Sequence, residues 1–254
     1  MAQGLSYDSL LKLLESLEGL NAVLIGGQAV AFWAELYAER IPELRAIHLL
    51  ASKDVDFCCG KQEVIACAAR LGVAAHLPEP FDTSPNSGVV RLRDVDGVER
   101  VIDFLHTPFG VDPVEVGNTA IRAALLDSDG QPSGATVRVM HPVVLMEARA
   151  CNVVALPGGD TPHGRAQLQA SVICTREFLL DLLEQRSVRR VLSAYERIFR
   201  FVTRHFHGRR TFDLTGIDPF AAVQGDERLP PAFLERRYPQ MQSQLAAKRA
   251  KRGR

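Results

Sequence analysis

Two aspartates separated by one residue interrupt an apolar stretch and are the first candidates for chemistry. Asp54 and Asp56 stand in the segment SKDVDFCC. Alternate residues of a β-strand share a face, so both carboxylates would project together while Val55 and Phe57 point into the core. Neighbouring carboxylates repel unless a cation lies between them, and Mg²⁺ takes oxygen ligands of this kind. The alternative is a solvent-exposed strand end that binds nothing.

A third aspartate, Asp103, interrupts another apolar stretch, ERVIDFLH. A carboxylate in so apolar a strand needs a partner. A structural partner would be an arginine of the adjacent strand, Arg91 or Arg93. A functional partner would be the metal that the first two aspartates hold, since three carboxylates from neighbouring strands can hold two ions about 3.5–4 Å apart.

A glycine pair, Gly26-Gly27, follows a short apolar strand and precedes a helix. Glycine lets the backbone turn sharply and approach a ligand closely. The start of the following helix offers N–H groups and a positive dipole end to a phosphate. Glycines also end strands for purely structural reasons, so this motif is weak by itself.

The elements that must position these residues follow from the spacing of apolar side chains. Asp96-Gly97 between two apolar runs indicates a hairpin. The spacing predicts helices over 7–17, 28–39, 62–71 and 118–126, and strands over 21–25, within 48–59, and over 89–93, 98–105 and 135–140. Helical periodicity then dominates over 143–155, 165–183 and 187–206, and the pattern weakens from 209. These elements predict an α+β fold, with a mixed sheet and flanking helices over 1–141 and a mainly helical C-terminal domain over 142–254.

Composition limits the class of protein and its surroundings. The 254 residues include 30 Lys+Arg and 30 Asp+Glu, with 46% hydrophobic residues, which excludes disordered and disulfide-scaffold proteins. Five cysteines without zinc-type spacing indicate reduced, mostly buried thiols. Since no segment reaches a membrane-spanning length and no signal peptide is visible, we expect a cytoplasmic protein without a membrane partner.

Two basic segments each allow two interpretations. The last ten residues carry five basic side chains and no acidic one, which fits contact with RNA or a solvated terminus. Further back, Arg186, Arg190, Arg197 and Arg204 share one face of a predicted helix. That face is either a groove for an acceptor RNA or the wet side of an amphipathic helix.

The order strand, Gly-Gly, helix, D-x-D strand and third Asp resembles the polymerase-β-type nucleotidyltransferase superfamily. More narrowly, LIGGQAVAFW followed by SKDVDF is similar to bacterial nucleotidyltransferase-like proteins grouped near the AbiE-type abortive-infection toxins. The segment RVMHPVVLMEAR also looks like that group. The resemblance covers roughly residues 20 to 150 and is specific in its combination of motifs.

The resemblance implies a role for each matching residue. Gly26 and Gly27 match the pair that holds the triphosphate. Asp54 and Asp56 match the metal-binding pair. Asp103 matches the third carboxylate, which ligates the catalytic metal and helps deprotonate the attacking hydroxyl.

Two further positions follow from the same resemblance. Ser52 stands where the group often has a small hydroxyl residue before the acids. Arg149 is a candidate for neutralising phosphate, although it stands where AbiE-type toxins generally have a lysine, and Arg165 is a weaker candidate. The later aspartate of those toxins has no counterpart nearby, and the stretch between Gly27 and Asp54 is longer than in minimal superfamily members.

The implied reaction is attack of an acceptor hydroxyl on the α-phosphate of an NTP with release of pyrophosphate. Two Mg²⁺ ions are expected, with Mn²⁺ as an alternative metal. The acceptor would be an RNA end, a protein hydroxyl or a small molecule, and a toxin-like member would have a cognate antitoxin as partner. The competing hypothesis is a non-catalytic nucleotide- or partner-binding protein that keeps the fold.

Overall fold

A seven-stranded mixed β-sheet organises the first part of the chain. The computed structural model describes residues 5–45, 55–126 and 131–252. The chain divides into two compact units, Met1–Leu145 and Met146–Arg254, whereas the sequence places the boundary at 141. The α+β class is confirmed, because strands and helices share the first unit and the described part of the second unit is helical.

The elements of the first unit alternate along the chain. They are α1 (Tyr7–Ser16), β1 (Val23–Leu24), α2 (Gly26–Tyr37), a 3₁₀ turn (Pro42–Leu44), β2 (Val55–Cys58), α3 (Lys61–Leu71), β3 (Ala75–His76), β4 (Asn86–Arg93), β5 (Glu99–Leu105), α4 (Pro113–Thr119), β6 (Ile121–Leu126) and β7 (Pro132–Val139). The strand order is β3-β4-β5-β2-β1-β7-β6. β2 pairs parallel with β5 and β1 pairs parallel with β7, and the other neighbours are antiparallel.

One face of the central strands forms the core of this unit. Phe57 on β2 and Phe104 on β5 stack with their ring centroids 5.6 Å apart. Val55 and Ile102 lie on the same face and are equally buried. The alternation predicted for both strands is therefore confirmed, and it turns the intervening residues to the opposite face.

The predicted helix over 118–126 is wrong. Its residues fall partly in α4 and mainly in β6, which pairs with β7 from Ile121 opposite Val139 to Leu126 opposite Pro132. Alanine and leucine in the sequence IRAALL favour a helix locally, but pairing with a long antiparallel neighbour outweighs that preference. The better local signal was Asp112, which caps α4 by accepting a hydrogen bond of 2.9 Å from the Val114 N–H.

The described part of the second unit consists of helices. They are α5 (Pro142–Ala155, which runs through the division), α6 (Pro162–Glu184), α7 (Val188–Arg204), α8 (Phe206–Thr215), a 3₁₀ turn (Pro219–Ala222), a π-helical turn (Phe233–Arg237) and α9 (Tyr238–Arg252). The three helices predicted from periodicity are confirmed. Among the helices described in the two units, none combines the length and the apolar character that crossing a bilayer requires.

The basic end of the chain is helical rather than frayed as far as it is described, most of its side chains are exposed, and two of its arginines form ion pairs. Arg249 on α9 pairs with both carboxylate oxygens of Asp218, at 2.9 and 2.6 Å. Its guanidinium carbon lies 4.2 Å from the centre of the Phe212 ring. Arg252 pairs with Asp213 at 2.8 Å. The sequence does not predict this helix, because its apolar periodicity is weak. Ion pairs, in addition to apolar contacts, hold it against the rest of the unit.

The N-terminus of α1 is fixed by a buried carboxylate from the β4–β5 hairpin. Asp94 is 5% exposed and accepts hydrogen bonds from the Ser6 N–H at 2.8 Å, from the Ser9 hydroxyl at 2.6 Å and from the Ser6 hydroxyl. Hydrogen bonds from Ser6 and Ser9 hold the pKa of the Asp94 carboxyl well below its ordinary value. The carboxylate also suits the positive end of the helix dipole. Asp94 therefore joins α1 to the hairpin.

Replacing Asp94 with asparagine should lower the thermal unfolding midpoint by a few degrees at pH 7. A lowered folded-state pKa gives stability that is complete above the unfolded-state pKa, about 3.9, and is lost as the pH falls below it. The difference in midpoint between wild type and Asp94→Asn should therefore shrink below about pH 4. Calorimetry between pH 7 and pH 3 measures it, with the exposed Asp96→Asn as control. A difference that grows towards low pH would contradict this role.

Replacing Arg249 with glutamine should destabilise the second unit by about 1 kcal/mol, because a half-exposed ion pair and a cation–π contact are both lost. The control Lys251→Gln, on the exposed side of α9, should change stability little. Urea unfolding followed by circular dichroism measures both, and 1 M salt should reduce the effect of the first substitution. Equal effects of the two substitutions would refute the docking role of Arg249.

Candidate functional site

Two of the three predicted acids lie side by side in the sheet. In the parallel pairing of β2 with β5, Asp56 is the direct register partner of Asp103. Residues so paired project from the same face on neighbouring strands about 4.8 Å apart. The two carboxylates, 47 positions apart in the sequence, therefore meet on one surface of the sheet.

This surface is half-exposed, while the opposite side of the same strands is dry. Asp56 and Asp103 are both partly accessible, whereas Phe57 and Phe104 beside them are buried to 1% and 0% exposure. Each carboxylate thus reaches solvent from a rigid backbone whose position is fixed by the core behind it. Of the arginines considered as structural partners of Asp103, Arg91 pairs with Glu99 at 2.9 Å.

The first glycine of the pair, Gly26, lies against Asp56. Gly26 has a φ of +65°, which other residues rarely adopt, and a Cβ built on it would lie 2.4 Å from the Asp56 Oδ2. The Ile25 N–H donates to the Asp56 carbonyl at 3.0 Å, which fixes the end of β1 beside β2. Gly26 and Gly27 form the first turn of α2, so the positive end of that helix approaches a carboxylate.

Asp54 and Ser52 lie outside the described residues, so their predicted roles stay predictions. Within the ranges that the structure covers, no group of three or more His, Cys, Asp and Glu side chains is arranged to hold a metal ion. The donors of the described pair, Asp56 and Asp103, are carboxylate oxygens on one face, which is the chemistry that Mg²⁺ and Mn²⁺ accept. The pair is compatible in chemistry with a shared cation, which would take further oxygen ligands such as water or substrate phosphate.

A cavity of about 420 Å³ opens near the carboxyl ends of β2 and β5. Its walls come from the ends of these strands, from α4 and from the start of β1. Six of the lining residues are Asn21, Cys58, Cys59, His106, Asn118 and Arg138. Since Cys58 is two residues beyond Asp56 on the same strand, the cavity begins about 7 Å from the acid pair on the same face.

The thiols that line this cavity stay protonated at neutral pH. Burial raises the pKa of Cys58 to about 11 and raises the pKa of Cys59 further. Neither thiol is therefore an activated nucleophile, which needs a lowered pKa. All five cysteines are buried and free of disulfides, as the sequence predicts.

Arg149 belongs to the second unit and forms a polar chain there. Its Nη1 donates to the Gln167 Oε1 at 2.7 Å, and the Gln167 Nε2 lies 2.9 Å from the His163 Nε2. Arg165, the weaker candidate, forms an exposed ion pair with Asp160 at 2.5 Å. A phosphate-binding role for Arg149 stays a prediction.

The predicted basic face of α7 is partly used inside the second unit. Arg197 donates to both carboxylate oxygens of Glu147, at 2.9 and 2.5 Å. Arg190 and Arg204 are exposed on this helix. Placing Arg186 on the same helix face was wrong, because it lies before Val188 in a turn with a φ of +57°. The choice between an RNA groove and a solvated face is left open by these contacts.

Sequence reasoning missed the polar residues Arg122 and Arg138, which stand opposite each other on β6 and β7. Arg138 lies within a strand that was predicted with alternating character, so its outward position was readable. The position of its partner Arg122 could not be predicted, because Arg122 falls within the segment wrongly predicted as a helix. Correct assignment of β6 from its pairing brings the two arginines together.

No protein-family model and no curated protein matches the chain. Among solved structures, the chain is similar to JHP933 from Helicobacter pylori at 13% identity, with 94% of this chain and 99% of that chain covered and a TM-score of 0.38. Any conclusion about function must therefore rest on the residues of this chain.

Replacing Gly26 with alanine should cost more stability than the same change at Gly97. Both glycines have positive φ, +65° and +77°, so each substitution pays about 1 kcal/mol for the left-handed backbone. A Cβ at Gly97 meets nothing within 4 Å, whereas one at Gly26 collides with the Asp56 carboxylate. We expect a further loss of about 1 kcal/mol or more for Gly26→Ala, measured by denaturant unfolding. Equal losses would show that the carboxylate lies elsewhere in solution.

Proposed function

We propose that the protein is a Mg²⁺-dependent nucleotidyltransferase that transfers NMP from an NTP to an acceptor hydroxyl. The observation that carries the proposal is the register of Asp56 with Asp103 beside the Gly26 turn. Two carboxylates and a glycine at a helix start are separated widely in sequence and meet on one half-exposed face. These are part of the combination on which the resemblance to polymerase-β-type nucleotidyltransferases depends, and Asp54 completes it in the sequence.

The strand pairing supports a shared cation. The pairing of β2 with β5 holds the Cα atoms of the two acids on one face, about 4.8 Å apart, so their carboxylate oxygens can bind the same ion. A divalent cation, when bound, would supply charge neutralisation for the reacting phosphates. In this proposal Asp54, one alternation step before Asp56, contributes the third carboxylate.

The turn at Gly26-Gly27 would receive the triphosphate. Since neither glycine has a side chain, a phosphate can approach the backbone N–H groups at the start of α2. α2 has no acidic residue in its first turn. The helix dipole there would attract the anionic NTP towards the acid pair.

In the proposed reaction, the acceptor oxygen forms a bond to the α-phosphorus as the bond to the bridging oxygen of pyrophosphate breaks. The hydroxyl proton passes to a carboxylate, for which Asp103 is the candidate, and from there to solvent. The contribution of the chain is mainly positioning, because the acids and the glycine turn are fixed by strand pairing before substrate arrives.

The proposal also includes candidates for the acceptor, the partners and the cellular location. An RNA end, a protein hydroxyl and a small molecule all remain acceptor candidates, and a cognate antitoxin is the partner expected of a toxin-like member. A cytoplasmic location would supply NTP and Mg²⁺ together. Arg149 is the candidate for neutralising phosphate.

The second candidate function is a non-catalytic nucleotide- or partner-binding protein that keeps this fold. It requires only what the described residues show, two acids beside the glycine turn. The two functions differ in a simple way. A binding protein would retain Mg²⁺-dependent NTP affinity without releasing pyrophosphate.

Replacing Asp56 or Asp103 with asparagine should abolish Mg²⁺-dependent NTP binding and reduce transfer by at least about 100-fold. Asparagine keeps the shape of the side chain and removes the charge that holds the metal. Calorimetric titration of each NTP with and without Mg²⁺, together with a pyrophosphate-release assay, measures both effects.

The matched control is Asp96→Asn, which removes an exposed carboxylate from the hairpin of the same sheet. It should leave both binding and transfer unchanged. Wild-type protein that binds no NTP in the presence of Mg²⁺ or Mn²⁺ would refute the proposal. Binding without pyrophosphate release, tested over a panel of RNA, protein and small-molecule acceptors, would favour the second candidate.

A further inference from the structure

The strongest feature outside the acid site is a pair of arginines on the β6–β7 hairpin. Arg122 and Arg138 are direct register partners in an antiparallel pairing, so their side chains leave the same face of neighbouring strands. Like charges placed directly opposite each other destabilise a sheet. The position therefore has an electrostatic cost that calls for a physical explanation.

The contacts of Arg138 are to neutral groups. Its Nη1 donates to the Asn21 Oδ1, and its Nη2 donates to the Gly117 carbonyl at 2.5 Å. Among the residues that the structure describes, no carboxylate pairs with either arginine of this pair. Burial lowers the pKa of Arg138, and the charge of Arg122 lowers it further. Of the five N–H donors of the Arg138 guanidinium, three are left for another acceptor.

Both arginines line one cavity of about 300 Å³, and Arg138 also borders the cavity of about 420 Å³ described above. Asn21 and Thr136 add polar groups to its wall, and Leu14 of α1 and Leu17 just after that helix supply apolar groups. A volume of this size is at the lower end of those that bind small molecules. The two arginines are the basic residues among those that line the cavity, whereas RNA needs a basic strip that follows its backbone.

We propose that Arg122 and Arg138 form a binding site for the phosphate group of a small organic phosphate, with the body of the ligand in the adjoining cavity. Arginine guanidinium groups bind phosphate through paired, charge-assisted hydrogen bonds. A bound phosphate would offset the repulsion between the two cations, and Asn21 and Gly117 would hold Arg138 in place for it. The site uses residues other than the acid pair and does not depend on the proposed function.

The test is calorimetric titration of the full chain with ribose 5-phosphate and with inorganic phosphate, using ribose as the uncharged control. Wild-type protein should bind both phosphates and not ribose, and Arg122→Gln should weaken binding of each by at least about tenfold. Arg122 is exposed, so this variant should fold. Arg138→Gln should have the same effect on binding, and Arg93→Gln, on the exposed part of β4, should bind within about twofold of wild type.

The thermal unfolding temperature is a second measurement that separates the two roles. If Arg122 had a purely structural role, its replacement would lower that temperature. Without phosphate, Arg122→Gln should unfold at the same or a higher temperature than wild type, because a like-charge contact is removed. With phosphate, the wild type should gain thermal stability and the variant should not.

Three results would overturn the site. They are absence of phosphate binding by the wild type up to about 10 mM, unchanged binding in Arg122→Gln, and loss of Mg²⁺-NTP binding in Arg122→Gln, which would make the pair part of the nucleotide site. Asp56→Asn separates the two proposals, since it should lose NTP binding and keep affinity for ribose 5-phosphate. Failure of either proposal alone would therefore be visible.

Discussion

The parallel pairing of β2 with β5 is the constraint on which the candidate site depends. It sets Phe57 against Phe104 on one face and, by the same alternation, Asp56 against Asp103 on the other. The contact between Phe57 and Phe104 favours this register of β2 against β5, and the register sets the relative positions of Asp56 and Asp103. Burial of the aromatic pair thus contributes to stability and to site geometry through the same backbone hydrogen bonds.

The sequence predicts those parts of the fold in which local pattern and tertiary environment agree. Alternation around Asp56 and Asp103 correctly separated the two faces of the central strands, and Asp-Gly correctly predicted the hairpin. The local pattern does not predict the long-range pairing of β6. The Ala and Leu residues of β6 favour a helix locally, and pairing with β7 makes the segment a strand. α9 was missed because its docking relies on ion pairs such as Arg249 with Asp218, which leave little apolar periodicity.

The candidate site was predictable to the same extent. A strand with two acids, a strand with a third and a glycine pair between strand and helix could be read from residue types, but their meeting required the order of strands in the sheet. Gly26 shows most clearly what three dimensions add. Its positive φ and its contact with the Asp56 carboxylate explain why a side chain cannot stand there, which spacing alone does not reveal. The pairing of the arginines on β6 and β7 could not be predicted from the sequence. It depends on β6 being a strand, whereas the local sequence of β6 favours a helix.

The short length of β2 has a consequence for assembly of the chain. With four residues in the strand, a slip of β2 by one position against β5 would turn Asp56 to the core face and Phe57 to the opposite face. Such a misaligned sheet would bury a negative charge in hydrocarbon and would be far less stable than the native one. Asp56 therefore also disfavours the wrong register, because a misaligned β2 would enclose its charge.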